Sequence, residues 1–210
     1  MLGNGRIRTD LALETTERFT EEHVEIRGVE IREDYDQEKD IRTTVVKITT
    51  ENGAKAMGRP QGNYITIEAP DLSAADEGYH REISEEIAKH LRSLIDLDHE
   101  KSILVVGLGN QAVTADSLGP HVVKNLHMTR HIIREYGQKN LGKEEMHRTS
   151  GIIPGVMAQT GMETSEIVQG IVDETKPDVV IAVDALAARS DRRLNRTVQI
   201  TDTGIQPRSV

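Results

Sequence analysis

Two uninterrupted apolar runs constrain this chain more than anything else in it: SILVVG at 102–107 and DVVIAVDA at 178–185. Neither alternates apolar with polar residues, so neither can leave one face to water. Each reads as a strand covered on both faces, as in a parallel sheet. Between them lie two helical patterns. Leu118, Val122, Leu126 and Ile133 recur near helical spacing until Gly137, predicting a helix over 118–135. Ile167, Val168, Ile171 and Val172 form a second stripe, with Thr160 and Glu163 at capping-box spacing before it and Lys176-Pro177 ending it. Strand, helix and strand in alternation predict a parallel sheet with right-handed crossovers. RTVQIT at 196–201 reads as a third strand of this half.

The N-terminal half carries a different signature. RTTVVKITT at 42–50 is rich in β-branched residues, and NYITIEA at 63–69 alternates Ile65, Ile67 and Ala69 with polar neighbours. With Asn52-Gly53 as a turn signal between them, they predict an antiparallel strand pair. Ser73 and Asp76 have capping-box spacing before a helix whose apolar face holds Ile83, Ile87, Leu91, Leu94 and Ile95. Residues 137–150 read as a polar, exposed connection. The expected fold is α/β: a mostly parallel sheet with helices on both faces, plus an N-terminal antiparallel strand pair.

Composition narrows the function. Aromatic residues make up 2% of the chain, with one Phe and no Trp, so the core is aliphatic and stacking platforms for nucleic acid are absent. A formal charge of −9 argues against a nucleic-acid or anionic-membrane partner. Zero cysteines exclude disulfides, thiolate metal sites and a cysteine nucleophile. No run reaches transmembrane length and the first residues lack a signal-peptide core, so a cytoplasmic location is expected.

Several short motifs offer chemistry. Gly107, Gly109 and Ala112 match the G-x-G-x-x-A dinucleotide fingerprint, but the helical pattern starts only at Leu118 and no second strand ending in an acid follows. The glycines are read as a tight strand-to-helix connection, with no cofactor expected. Asp116 and Asp184 each follow a buried strand, at the edge of an α/β sheet where ligands bind. They could form a carboxylate pair in which one member keeps a proton and the other activates water; equally, Asp116 could cap a helix and Asp184 stabilise a turn. Asp202-Thr203-Gly204 matches the D-T-G of pepsin-like proteases, which need an all-β fold, so it is read as an Asx-type turn. His127, His131 and Glu135 have metal-ligand spacing on a helix, yet Lys124, Arg130 and Arg134 beside them oppose a cation. That face is read as basic and solvated, with no metal. Ser150 and Ser165 lie in no nucleophile elbow and are read as structural.

Longer stretches then become recognisable together: IRTDLALE at 7–14, GNYITIEA at 62–69, VVGLGNQAVTADSLGP at 105–120, PGVMAQTGMETSEIVQGI at 154–171, KPDVVIAVDALAARS at 176–190 and VQITDTGIQP at 198–207. The chain resembles the germination protease family of spore-forming bacteria over nearly its whole length. The resemblance implies an atypical aspartic-type endopeptidase that degrades small acid-soluble spore proteins in the cytoplasm of the spore during germination. It also implies a homotetrameric zymogen and an α/β core similar to the hydrogenase-maturation endopeptidases. Carried over residue by residue, the proposed catalytic carboxylates are Asp116 and Asp184. Thr9-Asp10-Leu11-Ala12 is similar to the self-processing site, which makes Asp10-Leu11 the bond cut. Residues 1–10 then form a propeptide-like segment and 11–210 one α/β protease domain. Family members continue past the position of Val210, so the domain is expected to be truncated. Two other readings stand beside this one: an inactive fragment that binds spore proteins, and a nickel-dependent hydrogenase-maturation-type protease.

Overall fold

The β-branched runs become strands where tertiary packing covers them. The computed structural model describes residues 11–21, 26–74, 76–138, 146–188 and 190–205. They divide into two units, one holding the residues up to Leu94 with Leu186–Gly204, the other Ile95–Ala185 with Ile205.

The first unit is an antiparallel sheet in the order β1-β2-β3-β7, formed by Val29–Asp36, Ile41–Ile48, Gly62–Glu68 and Thr197–Thr201. The expected pair is there as β2 and β3, with Val45 opposite Ile65. Its connection is a short helix, α2 (Glu51–Met57), rather than a turn at Asn52-Gly53, because the Thr50 hydroxyl caps it by accepting from Gly53 N–H. On one face Ile65, Ile67 and Ile200 pack against Ile83 of α3 (Glu77–Leu94). Asp76, not Ser73, caps α3, accepting from the amides of Gly78 and Tyr79. On the other face Val46, Ile48 and Tyr64 pack against Met57 and against Ala12 of α1 (Ala12–Glu21). That second cover buries Tyr64 and Thr66, so β3 is enclosed on both sides and not half-solvated as its alternation suggests. β7 pairs with β3, which moves RTVQIT out of the parallel half.

The second unit is a three-stranded parallel sheet, β5-β4-β6, formed by Arg148–Ile152, Ser102–Gly107 and Val179–Val183. β4 lies centrally with both faces covered: Ile103 and Val105 meet Val123, while Leu104 and Val106 meet Val168, Ile171 and Val172. The first cover is α4 (Leu118–Lys124) and the second α7 (Thr164–Thr175), so helices flank both faces as expected. The capping box of α7 uses Glu163 and Glu166, not Thr160. The predicted 118–135 helix is two helices, α4 and α5 (Arg130–Tyr136). Thr129 interrupts it: its amide donates to Thr149 O and its hydroxyl accepts from Thr149 N–H, tying the break to β5. α6 (Met157–Thr160) precedes α7. Among the described residues no helix is long and apolar enough to cross a membrane.

Candidate active site

Parallel pairing brings two strand ends to one level. Gly107 of β4 stands opposite Val183 of β6, and Leu108 N–H donates to Val183 O one step beyond the sheet, at 2.8 Å. The chain after β4 then doubles back. Gly109 adopts φ +110°, and a Cβ there would lie 2.1 Å from Asp116 O, so only glycine fits. Asn110 N–H donates to Asp116 Oδ2 at 2.7 Å, and Asn110 Oδ1 accepts from Ala112 N–H. Asp116 ends a 3₁₀ turn over Thr114–Asp116, closed by the Ser117 hydroxyl on Thr114 O.

The start of α4 seals this arrangement. A Cβ on Gly119 would fall 2.4 Å from both Leu108 O and Val183 O, and one on Gly107 would fall 2.4 Å from Gly119 O. The backbone of α4 therefore rests directly on the exits of β4 and β6. Asp116 comes three residues before that contact, and Asp184 immediately follows Val183. Both carboxylates are half-buried at the same carboxyl edge. Asp116 is not the helix cap: its carboxylate points back to Asn110, and α4 begins at Ser117 without a side-chain cap. Asp184 Oδ1 accepts from the amide of Ala185 at 2.8 Å, which orients it at the turn out of β6.

Beside the Asp116 loop opens a cleft of about 440 Å³, walled by Gly109–Ala112 on one side and Ile153–Gly155, Gln159 and Thr160 on the other. Gln159 Nε2 donates to Asn110 Oδ1 at 3.1 Å, linking the two walls. Among the described residues no charged side chain lines it. Its hydrogen-bonding groups are backbone and neutral side chains, the complement of a peptide's own main chain. Sequence reasoning named no site residue on the 153–160 wall. The signal available was Pro154-Gly155, a turn dipeptide leaving β5 at the same carboxyl edge.

The remaining motifs go elsewhere. The G-x-G-x-x-A glycines serve the close approaches described above, and no helix opens on them. Asp202 follows β7, and its carboxylate reaches across to β3, accepting from Asn63 N–H at 2.8 Å and from Asn63 Nδ2 at 2.6 Å. It pins two strands and is not confined to its own turn. His127 falls between α4 and α5, so it does not share a helix with His131 and Glu135. Among the described residues no group of three or more His, Asp or Glu is placed to hold a metal ion. The Ser150 hydroxyl donates to Ile103 O, a structural bond. Asp10 lies outside the described residues, whereas Leu11 is buried.

Fold and cleft define an α/β protein with a candidate ligand cleft at the carboxyl edge of its parallel strands, and comparison with known sequences places it in a peptidase family. The chain belongs to the germination protease family, whose profile matches residues 7–210. The germination protease of Caldanaerobacter subterraneus subsp. tengcongensis is 49% identical over 203 residues, covering 97% of this chain and 61% of the relative. That of Clostridium tetani is 44% identical over 202 residues, covering 96% and 61%. That of Geobacillus sp. is 45% identical over 215 residues, covering 97% and 56%. The chain spans about three fifths of the length of these curated relatives.

Proposed function

We propose that this chain carries the catalytic carboxylates of an endopeptidase that degrades small acid-soluble spore proteins during germination, with Asp116 and Asp184 acting as a pair. One observation carries the reading: both aspartates leave the parallel sheet close to one backbone contact, where Gly119 touches Leu108 O and Val183 O, and the neutral cleft opens beside the loop that carries Asp116. The ionised member takes a proton from a water molecule as its oxygen attacks the scissile carbonyl carbon. The protonated member hydrogen-bonds the developing oxyanion. Collapse of the tetrahedral intermediate breaks the C–N bond, and the proton taken from water passes to the leaving amine. The substrate's main chain lies in the cleft against Asn110 and Gln159.

Self-processing at Asp10-Leu11 belongs to the same proposal, as do a zymogen state, a tetrameric assembly and a location in the spore cytoplasm; the family resemblance supports all four. Leu11, Ala12 and Glu14 are buried in the first unit, so this bond enters an active site only after the start of α1 has lifted away.

Incubating the protein with a small acid-soluble spore protein and mapping the fragments by mass spectrometry tests the reading. Cuts on the carboxyl side of acidic residues are expected, together with a processed chain beginning at Leu11. Intact substrate after prolonged incubation would overturn it.

A further inference from the structure

The basic face that the metal reading left unused is one wall of a second cavity. It measures about 230 Å³ and lies between α5 and the edge strand β5, lined by Arg130, His131 and Arg134 with Met128, Thr149 and Ser150. Among the described residues no Asp or Glu lines it, in a chain whose formal charge is −9. Three other cations of the same unit are paired: Lys101 with Asp96, Arg148 with Glu100, Lys176 with Asp173. Arg130, His131 and Arg134 have no ion pair among the described residues. The Thr149 hydroxyl likewise has no hydrogen-bond partner among them, although the Thr149 amide is held by Thr129.

Arg130 and Arg134 stand one helical turn apart, so their guanidinium groups share a face and repel each other. A guanidinium is a permanent cation with a planar fork of donors. Two fixed positive charges on one small cavity, with a free hydroxyl between helix and strand, match an oxyanion that carries two negative charges and accepts bidentate hydrogen bonds. We propose that this cavity binds a small phosphate-class dianion, held by Arg130 and Arg134 with Thr149 as a neutral donor. The site is separate from the carboxyl-edge aspartates. Its strand residues, Thr149 to Gly151, pair with Ile103 to Val105 inside the sheet, before the strand ends where Asp116 and Asp184 lie.

Isothermal titration calorimetry of the whole chain with inorganic phosphate tests this. Saturable binding at one site is expected, weakened about tenfold or more, equivalent to about 1.4 kcal/mol, in Arg134→Gln and again in Arg130→Gln. Sulfate should compete and chloride should not. Phosphate should raise the melting temperature of the parent chain and leave that of the double variant unmoved. Without phosphate the variants should melt no lower than the parent, because each removes a like-charge repulsion. Tighter binding of glycerol 3-phosphate than of inorganic phosphate assigns the ligand to a small phosphomonoester; weaker binding assigns it to the free ion. Absence of saturable binding, or binding unchanged in the double variant, would overturn the proposal. Asp116→Asn should bind phosphate as the parent does, so loss of peptidase activity and loss of this site are read separately.

Discussion

Arg193 holds together the N-terminal helix and the antiparallel sheet of the first unit, and replacing it with methionine tests how much that junction contributes. Its guanidinium donates twice to Glu17, at 2.7 and 2.5 Å, and its Nε donates to Glu68 at 2.7 Å. Glu14 lies 3.6 Å away, and its carboxylate also accepts from Ser190 N–H. The arginine side chain is 12% exposed and Glu14 only 1%. Hydrogen bonds donated to Glu17, working against burial, raise the arginine's proton affinity, so the cation is fixed at all accessible pH. Removing one partner from a buried ion pair costs about 3–5 kcal/mol, because the charges left behind stay desolvated. Glu17 is 41% exposed and recovers water, which places Arg193→Met near the lower limit, at about 3 kcal/mol.

Urea denaturation at neutral pH measures this loss. In the variant Glu14 stays buried without this cation. The double variant Glu14→Gln/Arg193→Met should be more stable than Arg193→Met alone. Since α1 begins one residue after Leu11, loosening it should also speed the appearance of the Leu11 N-terminus. A loss below about 1 kcal/mol, the range of exposed pairs, would refute the reasoning.

Three further outcomes follow from contacts described above. Gly119→Ala should cost about 1–3 kcal/mol by calorimetry and abolish peptidase activity, because its Cβ meets two carbonyl oxygens at 2.4 Å. Asp202→Ala should cost about 0.5–1.5 kcal/mol, because the exposed Asn63 groups recover water, with cleavage per folded molecule unchanged; abolished cleavage would return the D-T-G triplet to the chemistry. Burial raises the Glu86 pKa, but hydrogen bonds from Lys89 and His90 outweigh it and leave the group below the ordinary glutamate value. Its stabilising contribution is present above the unfolded pKa and lost as pH falls through the folded one, so Glu86→Gln should flatten the acid limb of a stability–pH curve.

The parallel half was legible in the sequence because its signals are local. SILVVG is apolar because α4 and α7 cover both faces of β4, and the α7 stripe shows in its spacing, whereas VVIAV forms an outer strand that is only half-buried, with Val180 exposed, and not the doubly covered strand its apolar run suggests. What escaped depends on distant partners or weak patterning. β1 is exposed along nearly its whole length, and Glu33 breaks the alternation of Val29, Ile31 and Tyr35. β5, RTSGI, is short and polar enough to pass as part of the 137–150 connection. The strand 196–201 was visible, but its pairing with β3 is a long-range outcome that no local pattern encodes. The positions of Asp116 and Asp184 could be read as strand ends. The packing of α4 beside them could not, because it depends on Gly119 filling the gap between Leu108 and Val183. The Arg193 cluster gathers Glu14, Glu17 and Glu68 from separate segments and left no motif to find.

Cleavage of a small acid-soluble spore protein by the Asp116→Asn and Asp184→Asn variants, each compared with the parent at equal folded concentration, tests the central claim most directly. The account predicts that either change lowers kcat/KM about a hundredfold or more, and that the double variant falls little further because the carboxylates act as a unit. Parent-like cleavage by either single variant would contradict it.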